Sequence, residues 1–223
     1  MRKVDWTKAY QYLQFRIMNS ALMLATIKTY SRIKRTFFKP EFPKDAHEIN
    51  LHLGCGCINH PKFINIDIIP LPHIHYVQQI DDLSIFKDSS VDLIYASHCL
   101  EHFSHLKVYD VLQEWFRVLK KNGILRLSVP DFDCLLKIYH DNDCDVQYIL
   151  GPLMGAQDYE YNFHYTVFNE KSLKDLLLET GFKTVDCWKP GSCELTTFND
   201  CSDFHLLVKD TYYSVSLNLE ARK

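Results

Sequence analysis

The sequence has no uninterrupted apolar run near the roughly 20 residues that a bilayer-spanning helix needs, so nothing in it reads as a transmembrane segment. Its eight cysteines include no Cys-x-x-Cys pair, so the paired spacing that marks most structural zinc sites is missing. Its start is charged through Arg2, Lys3, Asp5 and Lys8, with no compact apolar core before small residues. A secretory leader is therefore not expected. On that reading the cysteines are reduced, mostly buried small hydrophobes in a cytoplasmic protein. No internal repeat or low-complexity tract occurs, which argues against a fibrous or disordered chain.

What is present is ordinary globular composition. The 223 residues are 47% hydrophobic and 24% charged, enough for one domain with an appendage. The net charge of −3 conceals a division. Residues 1–44 hold ten Lys/Arg against Asp5 and Glu41, a surplus of eight positive charges, so residues 45–223 carry −11. The acidic body argues against nucleic acid as a partner. In the basic arm Trp6, Tyr10, Leu13, Ile17, Ala21 and Leu24 fall at three- and four-residue intervals. That spacing predicts an amphipathic helix running toward a stiff linker at Pro40 and Pro43. Such a helix can lie on an anionic membrane at its inner face, or pack on the body or on a second copy of the chain. Residues 1–38 are therefore the candidate for a peripheral membrane or homo-oligomer contact. The chain divides at residue 44, with arm and linker before it and one folded domain, 45–223, after it.

That domain alternates strand and helix. Strands are expected at Glu48–Leu53, Phe63–Ile68, Tyr76–Gln78, Val91–Ala96, Ile124–Val129, Phe182–Trp188 and Tyr213–Ala221. Helices are expected at Leu106–Leu119, closed by Lys120-Lys121-Asn122-Gly123, and at Ser172–Thr180, closed by Gly181. The pattern predicts an α/β fold, a mostly parallel Rossmann-like sheet covered by helices on both faces.

Ligands of such sheets sit beyond the carboxyl ends of the strands. After the first strand comes Gly54-Cys55-Gly56, where missing Cβ atoms let a ligand approach the backbone. Asp67 ends the second strand, where a carboxylate accepts hydrogen bonds from both ribose hydroxyls of a nucleoside. The dinucleotide fingerprint needs a third glycine, and Asn59 stands there instead. The span from Gly56 to Asp67 is also too short for a full crossover helix to cradle a pyrophosphate. A nicotinamide dehydrogenase therefore fits poorly, and a phosphate-free nucleoside fits better.

Asp81-Asp82-Leu83, Phe86 to Ile94, Ser97-His98-Cys99-Leu100-Glu101-His102-Phe103 and Glu114 to Gly123 follow in a series. This series resembles the class I S-adenosylmethionine-dependent methyltransferases, from about Glu48 to the C-terminus. Gly155 to Tyr159, Asn162-Phe163-His164 and Ser216 to Lys223 look like the second half of short methyltransferases associated with surface-glycan biosynthesis. The resemblance implies S-adenosyl-L-methionine as cofactor. It places the methionine moiety against Gly54, Cys55 and Gly56, the ribose on Asp67, and adenine beside Asp81, Asp82 and Leu83. Ser97 and His98 would line the cofactor from the other side. The implied reaction is methyl transfer to a small-molecule or glycan acceptor, most simply a sugar hydroxyl; the alternative is a non-catalytic cofactor-binding module or partner subunit with the same fold.

A hydroxyl acceptor needs a base. His98, His102, Asp131 and His164 are the candidates, with His102, His164 and Asp131 taken as the acceptor-site set. Tyr159, Tyr161 and Tyr165 can form a wall for a sugar or pack a lid, and Asp131 can equally cap a helix. His98-Cys99-Leu100-Glu101-His102 also reads as His-x-x-Glu-His, a zinc pattern. It follows a strand inside the series, and the sequence indicates no third ligand, so no metal is expected.

Overall fold

A computed structural model describes residues 26, 29–31, 33–35, 37, 39–44 and 47–223. The apolar stripe from Trp6 to Leu24 lies outside them. Seven strands form the main sheet: β1 (Asn50–Leu53), β2 (Ile64–Asp67), β3 (Tyr76–Val77), β4 (Val91–Ser97), β5 (Leu119–Pro130), β6 (Thr184–Cys187) and β9 (Ser216–Arg222). Their order is β3-β2-β1-β4-β5-β9-β6. All pairs are parallel except those of β9, which runs antiparallel to both β5 and β6. The Rossmann-like, mostly parallel sheet expected from the sequence is the observed architecture. A separate hairpin, β7 (His205–Val208) and β8 (Thr211–Ser214), interrupts the predicted last strand. Val215, completely buried between β8 and β9, marks the break.

One face of the sheet is helical. Leu51, Leu53, Ile94, Ala96, Leu125 and Leu127 alternate toward it. They pack on α1 (Val108–Val118), through Val111, Leu112 and Trp115, and on α4 (Glu170–Thr180), through Leu173 and Leu177. Asn169 starts α4 with a reciprocal capping box to Ser172, and Gly181 ends it at φ 119° against the Phe116 ring. The other face corrects the expectation of a second helical layer. No helix lies between β1 and β2 or between β2 and β3. Phe63, Leu93 and Tyr95 are covered instead by Trp188, Leu195 and Phe198 from the segment after β6. Aromatic rings do there what crossover helices do elsewhere.

Two further elements have no clear signal in the sequence pattern: α2 (Phe132–Asp141), which packs on the hairpin, and the short α3 (Leu150–Met154). Residues 120–123 correct another expectation. They belong to β5 rather than closing α1, with Asn122 at φ 66° and Lys120 Nζ bound to Asp92 at 2.7 Å. Cysteine burial is corrected as well. All eight are free thiols, but only Cys55 and Cys99 are buried, while Cys57 and Cys144 in turns, Cys187 at a strand end and Cys201 in a 3-10 turn of helix are exposed.

The end of the arm and the linker sit on the β3 edge. Arg35 donates to the carbonyls of Leu71 and Ile74, Phe42 packs on His75 and Tyr76, and His75 Nε2 lies 2.9 Å from the Glu41 carbonyl. Among the described residues no helix is long and apolar enough to cross a membrane.

His52 in β1 is 1% exposed, has an unpartnered Nδ1 and stacks on Phe198 at 5.0 Å. Burial lowers its pKa from 6.5 to about 4. Between those values the unfolded chain binds a proton that the native state refuses, so stability falls as pH drops from 6.5 toward 4, by up to about 3 kcal/mol. His52→Phe is expected to keep the stack and flatten that fall. Urea denaturation at pH 7 and pH 5 measures it, and an unchanged pH dependence would remove His52 as the cause.

Candidate active site

The site forms where β1, β2 and β4 end side by side. Beyond β1 the chain turns through Gly54 at φ 61° and Gly56 at φ 52°, a conformation costly for any residue with a Cβ. Gly54 N–H donates to the Ile66 carbonyl, tying the turn to β2. Gly56 N–H donates to Asp67 Oδ2 at 2.9 Å, and Ile69 N–H donates to Oδ1 at 2.8 Å. Asp67 is therefore the clasp of the glycine turn as well as the carboxylate at the β2 end. Burial pushes its carboxyl above the usual range, against the opposing effect of the two N–H donors. Each oxygen keeps a further lone pair for a ligand. An added Cβ at Gly56 would meet nothing within 4 Å, so the backbone there faces open space. Cys55, by contrast, is buried with its thiol pushed up, so of this residue only the backbone is left to offer a ligand.

The adenine segment is built differently from the expectation. Leu83 is completely buried in the main core; its N–H donates to Glu114 Oε1 at 2.9 Å and its carbonyl accepts from Arg117. It therefore supports the segment from behind. Asp82 is exposed and accepts from Ser84 N–H, which holds its carboxyl below the usual range, and Asp81 is partly exposed beside it. Glu114, held by Arg117 Nε at 2.7 Å, is the residue that fixes this turn.

Ser97 ends β4 opposite Ser128. His98 follows at φ 52°, a strained position for a residue with a Cβ. Its ring is held on both sides: Nε2 lies 3.0 Å from Ser216 Oγ and Nδ1 lies 3.1 Å from Glu101 Oε1. Cys99 Sγ reaches the Leu53 carbonyl at 3.4 Å, so this segment abuts the first strand end. A one-turn 3-10 helix, Leu100–His102, then carries Glu101 and His102.

The segment after α3 closes over that turn. Tyr165 N–H donates to the Glu101 carbonyl at 2.8 Å and Thr166 Oγ1 to the Phe103 carbonyl at 2.7 Å. His164 is thereby brought to His102, ring centroids 4.9 Å apart. Burial lowers the His164 pKa, with the Glu101 charge opposing. Burial, with the charges of Asp67, Asp158 and Cys99, pushes the Tyr159 phenol up to about 12. Tyr161 and Tyr165 are exposed further along the segment.

Asp131 stands apart. It caps α2, accepting from Asp133 N–H at 3.1 Å. Its charged neighbours are Asp133 and Glu170, and burial raises its carboxyl. The helix-cap reading fits this placement. A concavity of about 1030 Å³ gathers Lys34, Lys39, Lys44 and Lys62 beside the linker, and Gly54, Gly56 and Asp67 do not line it.

A parallel sheet with a Gly-x-Gly turn after β1 and a clasping carboxylate after β2 defines a Rossmann-like nucleoside-binding protein. Within that class the family described as a methyltransferase domain matches residues 38–186, and the chain belongs to it. S-adenosylmethionine is its cofactor. The open face of Gly56 and the free lone pairs of Asp67 fit the backbone approach and ribose contact that this cofactor requires. No curated protein matches the chain significantly. Among solved structures, a SAM-dependent methyltransferase from Archaeoglobus fulgidus is 16% identical, with 96% of this chain and 100% of that one covered and a TM-score of 0.52. The 1,6-didemethyltoxoflavin-N1-methyltransferase of Burkholderia thailandensis, solved with its substrate and S-adenosylhomocysteine, is 14% identical over 98% and 85% of the chains, with a TM-score of 0.51. At these identities the likeness is one of fold.

Proposed function

We propose that the protein transfers the methyl group of S-adenosylmethionine to a hydroxyl, that of a sugar in a glycan or glycan precursor. The cofactor supplies an electrophilic sulfonium methyl. The observation that carries the reading is the His102–His164 pair, its rings 4.9 Å apart and each fixed by a backbone carbonyl of the segment that runs from α3 through Phe163. A neutral amine attacks a methyl group with its own lone pair, whereas a hydroxyl must lose a proton that neutral water does not remove. Imidazoles at the acceptor side suit the second case. Tyr159, Tyr161 and Tyr165 offer ring faces to the C–H surface of a sugar, and Gly54, Gly56 and Asp67 hold the donor so that attack is in line. Asp131, at the end of β5, caps α2 through Oδ1 and is the third candidate of the acceptor side.

The domain 45–223 is taken as the catalytic unit and residues 1–44 as its appendage. The arm is read as a surface contact, to an anionic membrane or a second copy, because Tyr30, Ile33 and Phe37 are 59%, 58% and 75% exposed.

Labelled S-adenosylmethionine, incubated with cell extract fractionated into glycans, lipids, proteins and small metabolites, is expected to label the glycan fraction. Label in another fraction alone would overturn the acceptor. Saturable S-adenosylhomocysteine binding with no label anywhere would favour the non-catalytic module.

A further inference from the structure

Glu101 is completely buried, and among the described residues its carboxylate is paired with His98, whose Nδ1 lies 3.1 Å from Oε1. Holding a buried carboxylate with so little pairing is costly. In its neutral form His98 has no hydrogen to spare for it. Ser216 Oγ donates to the Cys201 carbonyl, so it accepts from His98 Nε2–H, which leaves a lone pair on Nδ1 opposite the carboxylate.

The two neighbouring histidines are oriented to the same end. His102 Nδ1 lies 3.0 Å from the Phe163 carbonyl, and His164 Nδ1 lies 3.0 Å from the Pro152 carbonyl. A carbonyl only accepts, so each Nδ1 carries the hydrogen and each neutral ring keeps its Nε2 lone pair. Metal-binding histidines are held in this way, the far nitrogen donating to a backbone carbonyl while the near one faces the ion. One ligand atom from each of Glu101, His102 and His164 lies within 4.8 Å of the others. Donors around an ion at about 2.1 Å stand roughly 3–3.5 Å apart, a spacing that modest side-chain rotation reaches from there.

We propose that Glu101, His102 and His164 form a site for one divalent first-row transition ion, whose open positions take the acceptor's hydroxyl. Two imidazoles and one carboxylate suit such an ion and leave room for oxygen ligands. A bound hydroxyl is acidified as bound water is, whose pKa falls to about 7. The O–H bond breaks with the proton leaving to water, the O–CH3 bond forms, and the sulfur keeps the electron pair of the broken S–CH3 bond. The ion changes neither charge nor oxidation state. His98 acts as a positioning residue behind Glu101. The third ligand that the His-x-x-Glu-His pattern lacked in the sequence is supplied by His164, folded back from the segment after α3. The cation site stands on these side chains alone; its use as the acceptor's anchor rests on the methyl-transfer reading.

The full chain, purified without chelator, stripped and titrated calorimetrically with Zn2+ and with Mn2+, is expected to bind one equivalent of at least one of these ions. Co2+ is expected to give visible absorption bands of nitrogen and oxygen ligation. Glu101→Gln, His102→Ala and His164→Ala should each weaken binding at least about a hundredfold, while His140→Ala, exposed on α2, should not. No saturable binding of any of the three ions to the wild type would overturn the site, as would unchanged affinity in all three variants. The Co2+ spectrum of the wild type decides the matter if the variants do not fold. Cation binding without S-adenosylhomocysteine binding would count against the methyl-transfer reading alone; the reverse pattern would count against the cation alone.

Discussion

Asp67→Ala is expected to weaken S-adenosylhomocysteine binding by about a hundredfold or more, because two charge-assisted hydrogen bonds to the ribose contribute about 1.5–3 kcal/mol each. The same substitution removes the acceptor for the Gly56 and Ile69 N–H groups. The turn itself should therefore loosen, at a cost of about 1–3 kcal/mol. Asp67→Asn separates the two effects. It keeps one carbonyl oxygen for the turn but loses the charge, so stability should recover more than affinity does. The direction of the pH effect follows from burial, which raises this carboxyl. The native state holds its proton at a pH where the unfolded chain has released it, so ionising Asp67 costs the fold stability as pH rises through that range. The ribose hydroxyls donate to the ionised form, and the affinity should fall as pH drops into the same range. Calorimetric titration at several pH values, on both variants and the wild type, measures this. Wild-type-like affinity in Asp67→Ala would remove the residue from the binding site.

The residues that were legible in the sequence are those whose backbone position dictates their chemistry. Gly54, Gly56 and Asp67 stand at strand ends, and strand ends follow from apolar alternation and turn residues. The sheet was legible for the same reason. The second face was not: Trp188, Leu195 and Phe198 cover it from an irregular segment with no periodicity to read. The burial of Leu83 was not legible, because a residue type at an expected position says nothing about which way its N–H points, and here Glu114 takes it. Asp131 was ambiguous for a chemical reason, since one carboxylate can cap a helix or touch a substrate. His102 and His164 were picked out as acceptor-site residues, but the joining of Glu101 to them was out of reach. It depends on hydrogen bonds that lay the segment after α3 across the 3-10 turn, a long-range contact that no local pattern encodes.

The two glycines of the turn look equivalent in the sequence, and their substitution should separate stability from binding. Both have positive φ, so alanine at either costs about 1–2 kcal/mol in backbone strain alone. At Gly54 the new Cβ would also stand 2.3 Å from Cys99 Sγ, a buried atom already packed against the Leu53 carbonyl. Overpacking there adds about 1–3 kcal/mol, and Gly54→Ala should lower Tm by about 10 °C. Adding Cys99→Ala leaves only Cys99 Cβ nearby, at 3.6 Å, an ordinary contact. The double variant should therefore recover the steric part and keep the strain, a favourable coupling that a double-mutant cycle reads directly. At Gly56 nothing lies within 4 Å of the added atom. Gly56→Ala should thus lose less stability than Gly54→Ala, while its methyl group occupies the space through which the cofactor approaches the backbone. Urea denaturation and S-adenosylhomocysteine calorimetry on the same samples test the contrast. Unchanged affinity in Gly56→Ala would mean that the ligand does not approach the turn from its open side, and Asp67 would then be a structural clasp alone.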